Sequence, residues 1–282
     1  MTPGIGLALV AMACFGAGDL IYKRAAAHGV EPRQFVMWQA WVFCPSITIY
    51  AWLTGTLDPH LPALWGAAAG IASIVGFYNF ARSLQGGAVS TNAPIFRLNF
   101  ILTAALAIAL LGEPLTLAKL GGLLGALLAV WLLLGERTNG GAHSDTSSLM
   151  RVLIATVAIA LANFFYKLGL RGGALPETMV ATQAWAFSST ATLFAWMRER
   201  RFNWTPGTWR YASPAAVLLL IGFVLLLRGL AVGPASVLVP VAQMGFVLTA
   251  LLGAALFREQ LSARKWIGLA VAVAALALFA FS

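Results

Sequence analysis

Apolar runs of near membrane-spanning length follow one another from Gly4 to the C-terminus, separated by short breaks. A run of about 20 such residues crosses the hydrocarbon core as a helix, because each backbone polar group is then bonded within its own segment. The pattern predicts about ten transmembrane helices, near residues 4–25, 33–53, 62–84, 88–111 and 115–134, then 150–170, 178–197, 210–230, 234–257 and 263–281. The one clear linker is GERTNGGAHSDTSS, Gly135 to Ser148, which is polar and rich in Gly and Ser. It divides the chain into 1–134 and 150–282, five helices each, joined by 135–149. The expected fold class is an all-α polytopic membrane protein.

The two halves carry the same text. LIYKRAAAHGVEPRQFVMWQAW, Leu20 to Trp41, matches FFYKLGLRGGALPETMVATQAW, Phe164 to Trp185, mainly at its polar and aromatic positions. An offset of 144 residues pairs Tyr22 with Tyr166, Lys23 with Lys167, Gly29 with Gly173, Pro32 with Pro176, Gln39 with Gln183 and Trp41 with Trp185. Further along the offset becomes 146, pairing Arg82 with Arg228, Pro94 with Pro240, Thr103 with Thr249, Glu113 with Glu259 and Lys119 with Lys265. Chance identity is common between Leu/Ala-rich helices, but matched Lys, Gln, Arg and Glu are not. Five is an odd number, so the second half enters the membrane from the opposite side. Two inverted five-helix repeats are a transporter signature, because similar halves around a midplane site can exchange conformations.

Composition agrees: 60% of residues are hydrophobic and 10% charged, against roughly 25% charged in soluble domains. A pI near 10.3 points to nucleic acid in a soluble chain, but here no polar domain offers such a surface. Cys14 and Cys44 lie inside apolar helices and read as packing residues rather than a disulfide. No basic leader precedes the first helix, so no secretory signal is expected. His28, His60 and His143 fall in loops without a nucleophile or metal motif, so neither an embedded enzyme nor a cofactor is expected. A channel would want rings of like groups or a filter loop, and neither is visible.

YKRAAAHGVEP followed by Gln39, and LGEPLTLAKLGG with its partner FREQLSARKWIG, resemble the paired EamA repeats of the drug/metabolite transporter superfamily. The resemblance covers nearly the whole chain. It implies a ten-helix transporter whose central cavity is lined mainly by helices 1, 3, 4, 6, 8 and 9. Members of the superfamily move amino acids, nucleotide sugars, phosphorylated sugars, quaternary amines and lipid-linked groups. Where many members carry Arg in helix 2, this chain has Gln39, repeated as Gln183, so anion recognition by that helix does not carry over.

Lys and Arg inside bilayer helices are costly unless they snorkel, pair or face water. Lys23 and Lys167 lie near the ends of helices 1 and 6 and either snorkel or touch substrate. Asp19 sits one turn before Lys23 and can pair with it, as a coupling or ion-pair residue. Asn163 replaces Asp19 in the second repeat, which makes Lys167 the freer cation. Arg97 lies about ten positions into helix 4, opposite the neutral Gln243 in the repeat. It is either a ligand for a carboxylate or phosphate or the buried partner of Asp19. Asn92, Phe96, Asn99 and Thr103 form one stripe of helix 4, which is a cavity wall or a helix–helix contact. Tyr78 and Arg82 on helix 3, Arg228 on helix 8, and the repeated Tyr22 and Tyr166, Gln39 and Gln183, and Trp41 and Trp185 are further candidate substrate contacts. Pro94 and Pro240, early in helices 4 and 9, are either paired bends that act as pivots or simple helix-start prolines. Glu113 and Glu259 are expected to cap a helix or to pair with Lys119 and Lys265.

Cationic side chains exceed acids in and near the core, which favours a substrate carrying an anionic group. A small amino acid or similar zwitterion ranks first, an organic anion or sugar phosphate second, and a quaternary amine third. No nucleotide-binding loop is visible, so the drive is an ion or proton gradient, exchange, or the substrate's own gradient. The expected partners are a small-molecule substrate and the lipid bilayer, in a monomer or homodimer of a bacterial inner membrane. The loop between helices 7 and 8 holds Arg198, Arg200, Arg201 and Arg210, while its repeat mate between helices 2 and 3 has no Lys or Arg. The positive-inside rule then puts both termini outside the cytoplasm.

Overall fold

The computed structural model describes residues 2–86, 92, 95–133, 146–200, 205–245, 247–248 and 262–281, with the side chains of all these but 23, 26, 84–86, 133 and 199. Pro94, most of the linker, Thr249, Glu259, the later part of helix 9 and the Lys23 side chain therefore lie outside the described residues. Every regular element among the described residues is helical: α1 Ile5–Ala27, α2 Pro32–Leu53, α3 Leu64–Gly86, α4 Asn99–Leu111, α5 Leu117–Leu133, α6 Thr146–Arg171, α7 Pro176–Glu199, α8 Pro206–Val232, α9 Ala235–Gln243 and α10 Ala263–Ala280, with a short 3-10 turn at Leu61–Ala63. These helices follow the ten expected from the apolar runs, although α6 begins at Thr146, ahead of the expected start at 150.

By length and composition α1, α3, α6, α8 and α10 can each cross a membrane, and α4 and α5 are shorter apolar helices. α2 and α7 have the length, at 22 and 24 residues, but carry the repeated Gln and several Ser and Thr. Large apolar side chains cover the outside, Leu61 at 81% and Leu117 at 88% exposure among them. Water would penalise such a surface, whereas lipid accepts it.

The turns that start the second helix of each repeat share their chemistry. Gly29 and Gly173 adopt φ of 69° and 95°, a region that glycine enters without a Cβ penalty. Pro32 and Pro176 then occupy the first turns of α2 and α7, where a missing N–H costs nothing.

Packing respects the repeat. α1 lies against α8 as α3 lies against α6; α2 meets α8 as α7 meets α3; α1 meets α9 as α6 meets α4. The pairs α2–α7, α4–α9 and α5–α10 join each helix to its own counterpart. Exchanging the two repeats leaves this set of neighbours unchanged, which is what a pseudo-twofold axis requires. Side chains confirm it at the α2–α7 contact. The Trp41 indole N–H donates to Thr192 Oγ1 at 3.0 Å and that of Trp185 to Thr48 Oγ1 at 2.9 Å, two bonds related by the 144-residue offset. Where α1 passes the residues just after α9, the backbones nearly touch. A Cβ on Gly16 would lie 2.6 Å from the Gly245 carbonyl oxygen, so only glycine fits.

Candidate functional site

A central cavity opens between α1, α3, α6, α8, α9 and the stretch leading into α4. These are the six helices that the resemblance implies. From α1 and α6 come the counterpart pairs Phe15 and Ile159, Gly18 and Ala162, Asp19 and Asn163, and Tyr22 and Tyr166. From α3 and α8 come Ser73 and Leu219, Phe77 and Phe223, and Phe80 and Leu226; Arg97 faces Gln243, and Phe96 completes the wall. All but Phe96 are thus paired with their own repeat counterparts, so the cavity lies on the pseudo-twofold axis. The wall is symmetric in position and one-sided in charge: Asp19 and Arg97 both come from the first repeat, opposite Asn163 and Gln243.

Helices α4 and α9 both change hydrogen-bond pattern beside the cavity. The Leu98 N–H donates to Ile95 O at 3.0 Å and the Met244 N–H to Val241 O at 3.1 Å, three residues back rather than four. Ile101 to Leu98 and Val247 to Met244 repeat the pattern at 3.0 and 2.9 Å. Such 3-10 steps within a helical run mark discontinuities. They fall directly after Arg97 and Gln243. The interruption in the second repeat therefore comes at Met244, one turn beyond Pro240, which itself lies inside α9.

Arg97 is buried and Asp19 half-buried. The Arg97 guanidinium donates through Nη2 to Asp19 Oδ2 and through Nη1 to Gln243 Oε1, the latter at 2.9 Å. Its Cζ lies 5.8 Å from the centre of the Phe96 ring, and that ring stacks on Phe80 at 4.1 Å. Of the two readings left open for Arg97, the pair with Asp19 is therefore present, and it is present inside the cavity. Aromatic rings supply most of the remaining wall, with Phe15 and Tyr166 both set edge-on to Phe223.

One end of the α8–α9 junction is clamped by the other elements. Lys167 Nζ donates to the carbonyls of Leu230 and Gly233, each at 2.6 Å. The Glu113 carboxylate accepts the N–H groups of Ala235 and Ser236 at 2.8 and 2.9 Å, which caps α9. Burial alone would raise the Glu113 pKa, but hydrogen bonds from Ser236 and Ala235 and the charge of Lys167 outweigh it and hold the carboxyl below its ordinary value. The expected cap is made, on the other repeat's helix. Lys119 turns instead to the Pro114 carbonyl at 2.9 Å.

A family description decides the identity: the "EamA-like transporter family" model matches residues 2–135 and again 146–281. The chain belongs to this family. It is a membrane transporter of the drug/metabolite type, and an integral multi-pass protein. The fold has solved counterparts, with 29 chains matching. One of them, described as "Crystal structure of protein", is 18% identical with a TM-score of 0.80 over 98% of this chain and 95% of that one. No curated protein matches.

Within this EamA transporter the expected site residues separate into two groups. Asp19, Tyr22, Phe96, Arg97, Tyr166 and Gln243 meet in the central cavity, and Gln39 and Gln183 line a smaller chamber beside it. Most of the other described ones contact neighbouring helices. Trp41 and Trp185 bond across α2–α7 as above, and Lys167 is engaged by two carbonyls, while the side chain of Lys23, with which it is compared, lies outside the described residues. Asn92 donates to Ser83 O at 2.9 Å and to Ser148 Oγ at 2.8 Å, tying α3 to α6. Asn99 and Thr103 accept from Asn163 at 3.4 and 3.5 Å. Tyr78 packs edge-on to Phe194 at 4.8 Å, and Arg82 is exposed. Arg228 bonds Glu177 at 2.6 Å and the Tyr50 hydroxyl at 3.0 Å. Phe15, Ser73, Phe77, Phe80 and Phe223 escaped sequence reasoning, although the 146-residue offset pairs Phe77 with Phe223.

Proposed function

We propose that the protein is a secondary transporter of a small zwitterionic metabolite with an apolar body, best exemplified by an amino acid, working by alternating access around the central cavity. The observation that carries this reading is the Asp19–Arg97 pair inside a wall that is otherwise uncharged among the described residues and largely aromatic and apolar. A zwitterion entering there exchanges one internal ion pair for two intermolecular ones, its ammonium to Asp19 and its carboxylate to Arg97. An anion would take Arg97 and leave Asp19 unpaired, and a cation would do the reverse. A charge left unpaired at low dielectric is strongly unfavourable, so the site discriminates against both. Sugar phosphates fit less well, because among the described residues the cavity lining has one guanidinium, already facing a carboxylate, and no second cation.

The matched breaks at Leu98 and Met244 give each repeat the same place to bend during the exchange. The drive is an ion or proton gradient, counter-exchange, or the substrate's own gradient. The arginine-rich loop after α7 favours a bacterial inner membrane protein with both termini outside the cytoplasm. A thermal-shift screen of the purified protein against amino acids, sugar phosphates and quaternary amines tests the substrate class. Stabilisation by amino acids alone is expected, and stabilisation by sugar phosphates alone overturns the reading.

A further inference from the structure

Beside the central cavity lies a second chamber, which shares Phe77, Leu219 and Phe223 with it. Gln39 and Gln183 face it from α2 and α7, with Phe43 and Phe187 beside them, so this chamber also sits on the pseudo-twofold axis. Among the described residues its lining contains no charged side chain. The two amides occupy equivalent positions but differ in their bonding. Gln39 Oε1 accepts the Tyr22 hydroxyl at 2.5 Å. Gln183 is 3% exposed and its Oε1 has no hydrogen-bond partner, because the equivalent bond from Tyr166 is not made.

A buried carbonyl oxygen without a donor is unfavourable. A bound water is a poor remedy, since it needs two to four polar partners and the lining offers little beyond the two amides. We propose that this chamber is a second substrate subsite. It takes a neutral hydrogen-bond donor carried on an apolar body, with Gln183 as the acceptor and the phenyl rings as the walls. This rests on the zwitterion reading for the substrate's head and adds what its tail must be. The charged head stays at Asp19 and Arg97, and the tail passes between Phe77 and Phe223. Absence of charge in the chamber excludes an ionised tail, which would be desolvated without a counter-charge.

The test measures binding to the purified full-length protein with zwitterion pairs that differ by one neutral donor, tyrosine against phenylalanine and threonine against valine. The donor-bearing member of each pair binds about tenfold tighter, as one added bond to a buried acceptor implies, and Gln183→Leu erases that ratio. A ratio near one in the unaltered protein, or a ratio that survives Gln183→Leu, overturns the subsite. If no zwitterion binds at all, the head-group reading fails by itself, and the chamber is probed with p-cresol against toluene. Protection from thermal unfolding by p-cresol, absent with toluene and absent in Gln183→Leu, supports the subsite; equal protection by both sinks it. Should Gln183→Leu not fold, Gln183→Met supplies the same comparison.

Discussion

Arg97 donates to Gln243 at 2.9 Å, and Gln243 is the residue that occupies the Arg97 position in the other repeat. The two counterparts meet across the pseudo-twofold axis, in contact with each other. The same guanidinium holds Asp19, whose own counterpart Asn163 also lines the cavity. The first repeat therefore supplies the charges and the second supplies neutral side chains of similar size. The fold itself tolerates the neutral version, because it builds it once already.

That tolerance predicts an ordering of variants. Arg97→Gln and Asp19→Asn each copy the second repeat, but each leaves the other charge buried without its partner, a loss of about 3–5 kcal/mol for a fully buried pair. The double variant leaves neither charge unpaired. Melting temperatures in detergent should fall for both single variants and recover in the double one, while transport is lost in all three. A double variant less stable than either single one contradicts the pairing.

The Tyr22–Gln39 bond, present while Tyr166–Gln183 is open, predicts opposite effects for two equivalent substitutions. Tyr22→Phe removes about 0.5–1.5 kcal/mol from the conformation described here and moves the population toward the opposite-facing one. Tyr166→Phe leaves this conformation intact and disfavours the other. Cysteine labelling from each side of the membrane reads the shift. Displacement of both variants in the same direction would falsify the exchange.

The duplication, the order of ten helices and the charged centre of the cavity were all legible in the sequence. Arg97, Gln243, Asp19 and Tyr22 stand out because a polar group in an apolar span has contrast. Phe15, Phe77, Phe80 and Phe223 have none: an aromatic residue in an apolar helix reads alike whether it faces lipid, a neighbour or a cavity. The contacts of some polar residues were not legible for a related reason. Trp41, Trp185 and Asn92 recur or align at helical spacing, yet spacing along one helix does not say which neighbour it meets. The paired tryptophans serve the axis itself, bonding each repeat to the other rather than to substrate.

Trp41→Phe and Trp185→Phe accordingly act on stability alone. Each loses one hydrogen bond between membrane helices, about 0.6 kcal/mol, and the two losses should add because the bonds are separate. Thermal melts and transport assays on the single and double variants check this. Loss of transport in a variant that melts normally would return the tryptophans to the substrate path.

Glu113 predicts a pH dependence at the α8–α9 junction. Its folded pKa lies below the ordinary carboxyl value, so its contribution is complete above the unfolded value and is lost as pH falls through the folded one. Between pH 7 and 5 the clamp should hold unchanged, and stability should decline below about pH 4.5. Glu113→Gln should be less stable at neutral pH and show a flatter acid limb. Parallel acid limbs for the two proteins would remove Glu113 from that decline.

On the proposed zwitterion reading, charge balance at the Asp19–Arg97 pair is the selective property, and one comparison measures it. Phenylalanine, its methyl ester and its N-acetyl derivative keep one body while carrying both charges, only the cation, or only the anion. Binding to the purified protein, followed by competition in reconstituted vesicles, ranks the three. The zwitterion should bind best, with each singly charged derivative weaker by about 10- to 100-fold, the range expected for losing one charge-assisted bond of about 1.5–3 kcal/mol. An N-acetyl derivative that binds as tightly as the amino acid would make this an anion site, and an equally tight methyl ester would make it a cation site; either result contradicts the zwitterion pair.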